Sequence, residues 1–310
     1  MNKPTIAISI GDLNGIGIEI ALRSHEKIKK YCKPLYCVNR VMLNKAAKLL
    51  ELEIPEDFKL YEIKGEFDIK PGKVSKKSGR YSYDSFMEAI NLANDKKVNA
   101  IVTLPINKES WSKAKIKYKG HTEVLRDYFG KNAIMMLGCK KLFVSLYTEH
   151  IPLKQVAKSI DEESLSSFLI DFYKSVKVKK IGVLALNPHA SDNGVLGDEE
   201  VEIFKAIKNA NSSLNKEIFK GPLVPDTAFS KASRSNFRYF VAMYHDQGLA
   251  PLKALYFDQS VNISLNLPIV RTSVDHGTAF DIAYEKNRAI NCKSYKNAIK
   301  EAVNLQENRV

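Results

Sequence analysis

Cysteine is scarce in this chain: four in 310 residues, at Cys32, Cys37, Cys139 and Cys292, with no two in a CxxC pair. That excludes a disulfide-stapled scaffold and a zinc ribbon, and the expectation is a cytoplasmic protein with reduced thiols. Long apolar runs are missing as well. None approaches the roughly 20 residues needed to span a bilayer, and the first run, residues 6–10, stops at Gly11-Asp12 instead of continuing as a signal peptide. No membrane partner is therefore expected. The chain has no GxGxxG fingerprint, no Walker Gly-Lys-Ser/Thr, and no RNP, zinc-finger or helix-turn-helix signature. It also lacks internal repeats and low-complexity linkers. Arginine supplies only nine of the 48 basic residues, and the rest is lysine spread along the chain. The net charge of +13 then describes solvated helix faces better than a nucleic-acid patch, so no nucleic acid is expected, while anionic, phosphorylated substrates are favoured.

What is present is a regular alternation of apolar runs and helical periodicity. Strands are expected at residues 5–10, 35–38, 100–104, 180–186, 237–243 and 261–265. Helices are expected at 15–29, 41–50, 83–95, 165–176, 199–209 and 295–306. Two closely spaced runs, 133–137 and 142–147, predict a hairpin. Such alternation argues for a mostly parallel α/β sheet covered by helices. The pattern changes near Gly130 and returns near Phe257, which predicts a first α/β domain from 1–129 plus 257–310 and a second from 130–256. Ligands of open α/β sheets bind beyond the carboxyl ends of the strands.

Histidine is uncommon too, with six residues, but it is concentrated. Five lie in dense polar and glycine-containing strings: Gly-His-Thr-Glu at 120–123, Thr-Glu-His-Ile-Pro-Leu at 148–153, Asn-Pro-His-Ala at 187–190, Tyr-His-Asp-Gln-Gly at 244–248 and Val-Asp-His-Gly-Thr-Ala-Phe-Asp at 274–281. Only His25, inside a lysine-rich helix, looks ordinary. Three expected strands run into His150, His189 and His245. Three neutral imidazoles leave coordination positions open, as a catalytic metal requires; the alternative is that each caps a strand or bonds a loop. Asp246 orients a ligand, binds substrate, accepts a proton, or is a turn residue before Gly248. The turn from Gly11 to Gly17 reads as a strand-to-helix connection, with a substrate contact by Asp12 or Asn14 left open. Thr122 and nearby backbone N–H groups either hold an anion or cap a helix. Lys253, Asn262 and Arg271 follow in line; a guanidinium fork suits carboxylate or phosphate, and surface charge is the alternative. In the last string, small residues after His276 let a flat ligand approach the backbone, and Asp281 suits vicinal hydroxyls. A solvated strand-to-helix turn is the other reading.

Taken together, these strings resemble the 4-hydroxythreonine-4-phosphate dehydrogenase family of vitamin B6 biosynthesis, over nearly the whole chain: GDLNGIGIEI at 11–20, GHTE, EHIPL, NPHA, PDTAF at 225–229, YHDQGLAPLK and VRTSVDHGTAFDIA at 270–283. The resemblance implies two α/β/α domains of the isocitrate and isopropylmalate dehydrogenase type, with the active site in the cleft between them. It implies a divalent metal (zinc, cobalt or magnesium) on His150, His189 and His245. Substrate contacts fall on His121, Thr122, Lys253, Asn262 and Arg271, and catalytic roles on Asp226, Asp246 and Lys253. His276, Gly277, Thr278 and Asp281 correspond to the loop that grips the adenosine of NAD in isopropylmalate dehydrogenases, with Phe280 in place of a proline. Leu13-Asn14 stands where many members carry Pro-Ala. The implied reaction is oxidation of 4-phosphooxy-L-threonine by NAD and decarboxylation to 3-amino-2-oxopropyl phosphate. The implied assembly is a homodimer with a shared active site, His245 coming from the partner. Alternatives are a dehydrogenase of threonate or erythronate 4-phosphate, a phosphate acyltransferase, and a nucleic-acid-binding module resting on charge alone.

Overall fold

The computed structural model describes residues 3–286 and 288–307. Its elements, in chain order, are β1 (Thr5–Ser9), α1 (Gly17–Ile28), β2 (Lys33–Cys37), α2 (Arg40–Leu50), β3 (Leu60–Tyr61), α3 (Lys76–Asn94), β4 (Ala100–Thr103), α4 (Lys108–Lys113), α5 (His121–Phe129), β5 (Ile134–Cys139), β6 (Leu142–Leu146), α6 (Glu162–Val176), β7 (Ile181–Leu184), α7 (Glu199–Leu214), β8 (Phe219–Leu223), α8 (Pro225–Ala228), α9 (Lys231–Asn236), β9 (Tyr239–Ala242), α10 (His245–Tyr256), β10 (Val261–Leu265), β11 (Arg271–Val274) and α11 (Lys293–Glu307). The chain divides into two compact units, residues 1–131 with 261–310, and residues 132–260. Among the described residues no helix is long and apolar enough to cross a membrane.

In the first unit the strand order is β3-β2-β1-β4-β11-β10. All pairs are parallel except β10 with β11, which is antiparallel. The central strands β1 and β4 are mostly apolar and buried at every residue but Thr5, as parallel strands covered on both faces must be. Local chemistry starts the helices. Asn39 accepts a hydrogen bond from Met42 N at 2.8 Å to open α2, and Asn107 accepts from Ser110 N at 2.7 Å to open α4. Ser75 caps α3, so that helix begins well before the expected residue 83 and takes in the polar stretch around Gly79. The strand β11 was not expected, because Arg-Thr-Ser-Val lacks an apolar run; all four of its residues are nonetheless buried.

In the second unit the order is β5-β6-β9-β7-β8. β5 and β6 form the expected antiparallel hairpin, while β6, β9, β7 and β8 run parallel. Asp161 caps α6 through Ser164 N at 2.8 Å. The helix α10 was also unexpected: Gly248 and Pro251 both disfavour a helix interior. Tertiary packing overrides that preference. Leu249 and Leu252 of α10 enter a core with Val144, Leu146, Phe240 and Ala242. Gly248 permits the approach, since a Cβ there would lie 2.5 Å from Val144 Cγ1.

The tightest backbone approach in the first unit is that of α4 on α3, where a Cβ at Gly79 would stand 2.1 Å from Ser110 O. Alanine would gain about 1 kcal/mol of helix propensity, but the obstacle is main chain and cannot swing aside. Overpacking of this kind costs about 1–3 kcal/mol. Gly79→Ala is therefore expected to destabilise the protein by about 2 kcal/mol, seen as a lower urea midpoint at unchanged m-value. A midpoint at or above that of the parent protein would refute this packing.

Candidate active site

In the second unit β6, β9 and β7 are consecutive and parallel, so their carboxyl ends share one edge of the sheet. His150 lies just past β6, His189 just past β7, and His245 opens α10 after β9. The rings of His150 and His245 are 5.6 Å apart, centroid to centroid. His245 Nδ1 is 2.7 Å from Asp246 Oδ1, so the carboxylate orients the ring and leaves Nε2 as the nitrogen that could serve a metal. His189 is exposed on a turn in which φ is positive at every residue from His189 to Asn193. Such a run costs roughly 1–2 kcal/mol per residue and is retained only where its surroundings enforce it.

Those surroundings are residues that sequence reasoning missed. Glu200 Oε1 accepts from Leu186 N at 2.9 Å and Asn187 N at 2.7 Å, and Asn187 Nδ2 donates to Glu200 Oε2 at 2.9 Å and Glu199 Oε2 at 2.7 Å. Burial works to raise the Glu200 carboxyl, but these hydrogen bonds outweigh it and hold the group below its ordinary value. Gln247 joins the ends of two strands: its Oε1 accepts from Met243 N and its Nε2 donates to Ala185 O, both at 2.7 Å. The only sequence signal was the acidic first turn of α7, which also reads as ordinary dipole compensation.

Within one chain the three imidazoles do not close on one point. Among the described residues only His25, Glu26 and Asp57 bring three possible ligand atoms within 4.8 Å of one another. Lys29 already bridges that pair of carboxylates, at 2.7 Å from Glu26 and 3.1 Å from Asp57, which makes it an ion-pair network. His25 is buried there between Tyr36 Oη and Asp57. The expected grouping, His150 and His189 from one subunit and His245 from its partner, concerns two chains; within one chain the rings in contact are those of His150 and His245. Asp226 is exposed on α8, which packs beside the His189 turn. Lys253 lies farther along α10, with its ammonium 5.6 Å from the centroid of the Phe257 ring.

The first unit holds a second constellation. Arg271, at the start of β11, is only 2% exposed, so it is no surface charge. It donates to Thr103 Oγ1 at 2.8 Å, Ser264 Oγ at 3.0 Å and Asn262 Oδ1 at 3.5 Å, and its Nε has no partner. No carboxylate pairs with it among the described residues. Burial pulls the guanidinium down to about 9, which still leaves it charged at neutral pH. A buried cation held by neutral oxygens alone is costly; an incoming anion relieves that cost. His121 opens α5 against Phe86 and Trp111, and its Nε2 is buried without a partner. Burial first, and then the charge of Arg271, hold its pKa well below 6.5. It is therefore a neutral imidazole. Thr122 follows in the first turn of α5, which has no side-chain cap and so leaves N–H groups for an anion.

The segment after β11 carries the last of the histidine strings, at 274–281. His276 Nδ1 is 3.0 Å from Gly277 O, while its Nε2 is buried and unpartnered. A Cβ on Gly277 would meet nothing within 4 Å, so packing does not demand glycine there and the backbone is bare to an approaching ligand. Thr278 is buried, and its carbonyl accepts from Ile16 N at 3.1 Å. Asp281 is exposed. Asp12 and Asn14 are both fully buried and build the first turn: Asp12 accepts from Asn14 N at 3.0 Å and Ser78 Oγ at 3.2 Å, which supports the turn reading over a substrate contact.

The sequence profile of the family described as "Pyridoxal phosphate biosynthetic protein PdxA" matches residues 30–302. A 4-hydroxythreonine-4-phosphate dehydrogenase of Sulfurimonas denitrificans is 61% identical over 307 residues, covering 99% of each chain. One of Campylobacter fetus is 60% identical, covering 98% of this chain and 99% of its own. The crystal structure of a 4-hydroxythreonine-4-phosphate dehydrogenase from Burkholderia phymatum superposes with a TM-score of 0.82 at 32% identity, covering 98% of this chain and 99% of that one.

The neutral state of His121 has a consequence for stability. In the unfolded chain an imidazole takes up a proton as the pH falls through about 6.5, but the folded site resists it, so stability is lost in acid, at no more than about 1.4 kcal/mol per pH unit. Comparing urea midpoints at pH 7 and pH 5 is expected to show a smaller acid loss in His121→Gln than in the parent. An identical loss in both would mean that the ring is not buried in its neutral form.

Proposed function

Because the chain belongs to the PdxA family of pyridoxal phosphate biosynthetic proteins, a family of dehydrogenases, we propose that it oxidises 4-phosphooxy-L-threonine with NAD and releases carbon dioxide to give 3-amino-2-oxopropyl phosphate. In this reaction the secondary alcohol loses a hydride and a proton, and the resulting β-keto acid loses carbon dioxide and takes a proton back. The observation that carries the reading is the delivery of His150, His245 and His189 from the carboxyl ends of three adjacent parallel strands. When bound, a divalent metal on these imidazoles supplies Lewis-acid polarisation of the hydroxyl, and NAD supplies the hydride acceptor. The donor set fits such a metal: three imidazoles, one already oriented by Asp246. A homodimer in which a second copy supplies the ligand that one chain lacks accounts for three imidazoles that do not converge within a chain. Arg271, Thr122 and the start of α5 hold the anionic groups of the substrate, Asn262 and neutral His121 offer hydrogen bonds, and Lys253, Asp226 and Asp246 serve proton transfer. The buried, unpartnered Nε2 of His276 and the bare backbone at Gly277 suit a cofactor. A sugar-acid phosphate such as threonate 4-phosphate would use the same anion contacts and is the competing substrate.

NADH formation with 4-phosphooxythreonine, compared with threonate 4-phosphate, tests the substrate: a higher kcat/KM for the sugar acid would overturn the reading. His189→Ala is expected to lose both bound metal and turnover by orders of magnitude while keeping its circular dichroism spectrum. Unchanged metal content after dialysis would remove His189 from the ligand set.

NAD is expected to be preferred over NADP on the order of a hundredfold, because a 2′-phosphate would meet the Asp281 carboxylate. The basic residues of the neighbouring cleft do not offset this. Arg23, Lys286 and Arg288 line an open cleft of about 390 Å³, but Arg23 is bound to Glu19 at 2.6 Å, Lys286 to Glu51, and Arg288 to Glu285 at 3.5 Å. Asp281→Asn should narrow the gap in kcat/KM between the two cofactors. Equal values in the parent protein would show that Asp281 does not face the adenosine ribose.

A further inference from the structure

We infer that Asn14 is a positioning residue for the 276–284 segment, acting through the 70–73 turn. The inference rests on the cofactor reading of that segment only for its effect on NAD. Asn14 is fully buried, and every polar group of its side chain is committed to one turn. Its Nδ2 donates to Lys73 O at 2.7 Å and its Oδ1 accepts from Lys70 N at 3.0 Å. Its carbonyl accepts from Gly72 N at 2.9 Å. The turn closes on itself through Lys73 N to Lys70 O at 3.1 Å, with Pro71 and then Gly72 at φ +67°, the arrangement of a type II turn. Asn14 thus holds both ends and the middle of a tight turn.

That turn is a wall for the segment after β11. A Cβ on Gly72 would lie 2.5 Å from Phe280 O, so the two backbones touch with no space between them. The residues flanking Asn14 grip the same segment directly. Ile16 N donates to Thr278 O, Gly15 packs against Thr278 so closely that a Cβ would be 2.7 Å from its carbonyl oxygen, and Tyr284 Oη donates to Leu13 O at 2.6 Å. Three contacts from the residues flanking Asn14 and one through the turn it holds therefore define the path of residues 278–284. Phe280 does not restrict its own φ as a proline would, so the order of this segment is imposed from outside. Alanine at residue 14 would remove both part-buried side-chain hydrogen bonds that tie the turn to residue 14.

Hydrogen–deuterium exchange decides this without reference to catalysis. In Asn14→Ala, peptides covering 66–75 and 276–284 are expected to exchange at least tenfold faster, while the strand peptides 100–104 and 261–265 keep their protection. The dissociation constant and KM for NAD should rise about tenfold, with kcat and the KM for the phosphorylated substrate within twofold. Asn14→Asp keeps the acceptor for Lys70 N and should give a smaller effect in the same peptides; it also replaces the alanine variant if that does not fold. Faster exchange confined to 66–75, with 276–284 unchanged, would overturn the inference, as would a uniform loss of protection across the first unit. If 276–284 loosens but NAD affinity does not change, the coupling stands and the assignment of that segment to the cofactor falls.

Discussion

Parallel pairing is the constraint from which the candidate site follows. A parallel strand must return to the same starting edge before it can pair again, so every carboxyl end in the set emerges on one side. In the second unit this applies to β6, β9 and β7, and their exits are the three short segments that carry His150, His245 and His189. In the first unit it applies to β1, β4 and β11, whose exits carry the Asp12 turn, the residues after Thr103 and the His276 string. β5 and β10, which pair antiparallel with β6 and β11, do not share this direction. Asn262 reaches its place from β10, with its Oδ1 against Arg271.

The second organising fact is how polar groups are buried. Most are closed by partners: Asp12 by Asn14 and Ser78, Glu200 by the Asn187 backbone and amide, Asn39 by the carbonyls of Ile63 and Gly65. Such closure removes most of the cost of desolvation. Three buried nitrogens at the candidate site are left open: Nε of Arg271 and Nε2 of His121 and His276. Each belongs to a residue for which the sequence suggests a ligand. Four buried oxygens are open as well, on Ser9, Glu19, Ser24 and Tyr295, so an open group marks a binding place only where, as here, the sequence also suggests a ligand.

Strain and restraint are paired in the same way. The positive-φ run at His189 is held from one side by the carboxylates of Glu199 and Glu200 and lies beside α8. The 276–284 segment is held by the Leu13–Ile16 turn and by Gly72. In both cases the residues that would meet a ligand are not the ones that set the backbone. Residues from other stretches of the chain do that, through carboxylates at the His189 turn and through main chain at the 276–284 segment.

The sequence by itself determined the alternation of strands and helices, the α/β class, the hairpin before residue 147, and the family, because periodicity and local motif strings are properties of short windows. It also marked the histidines, since they follow apolar runs that end in polar, glycine-containing strings. It did not determine that β9 lies between β6 and β7, because strand order depends on pairing between residues far apart in sequence. It did not reveal α10, whose Gly248 and Pro251 argue against a helix until Val144 and Ala242 are seen to require a bare surface there. Nor did it separate a buried Arg271 from a surface one, or an Asn14 that holds a distant turn from one that touches substrate. Burial and hydrogen-bond partnership arise from contacts between segments, and a free guanidinium and a buried one are written with the same letter; only the tertiary structure decides which environment surrounds it.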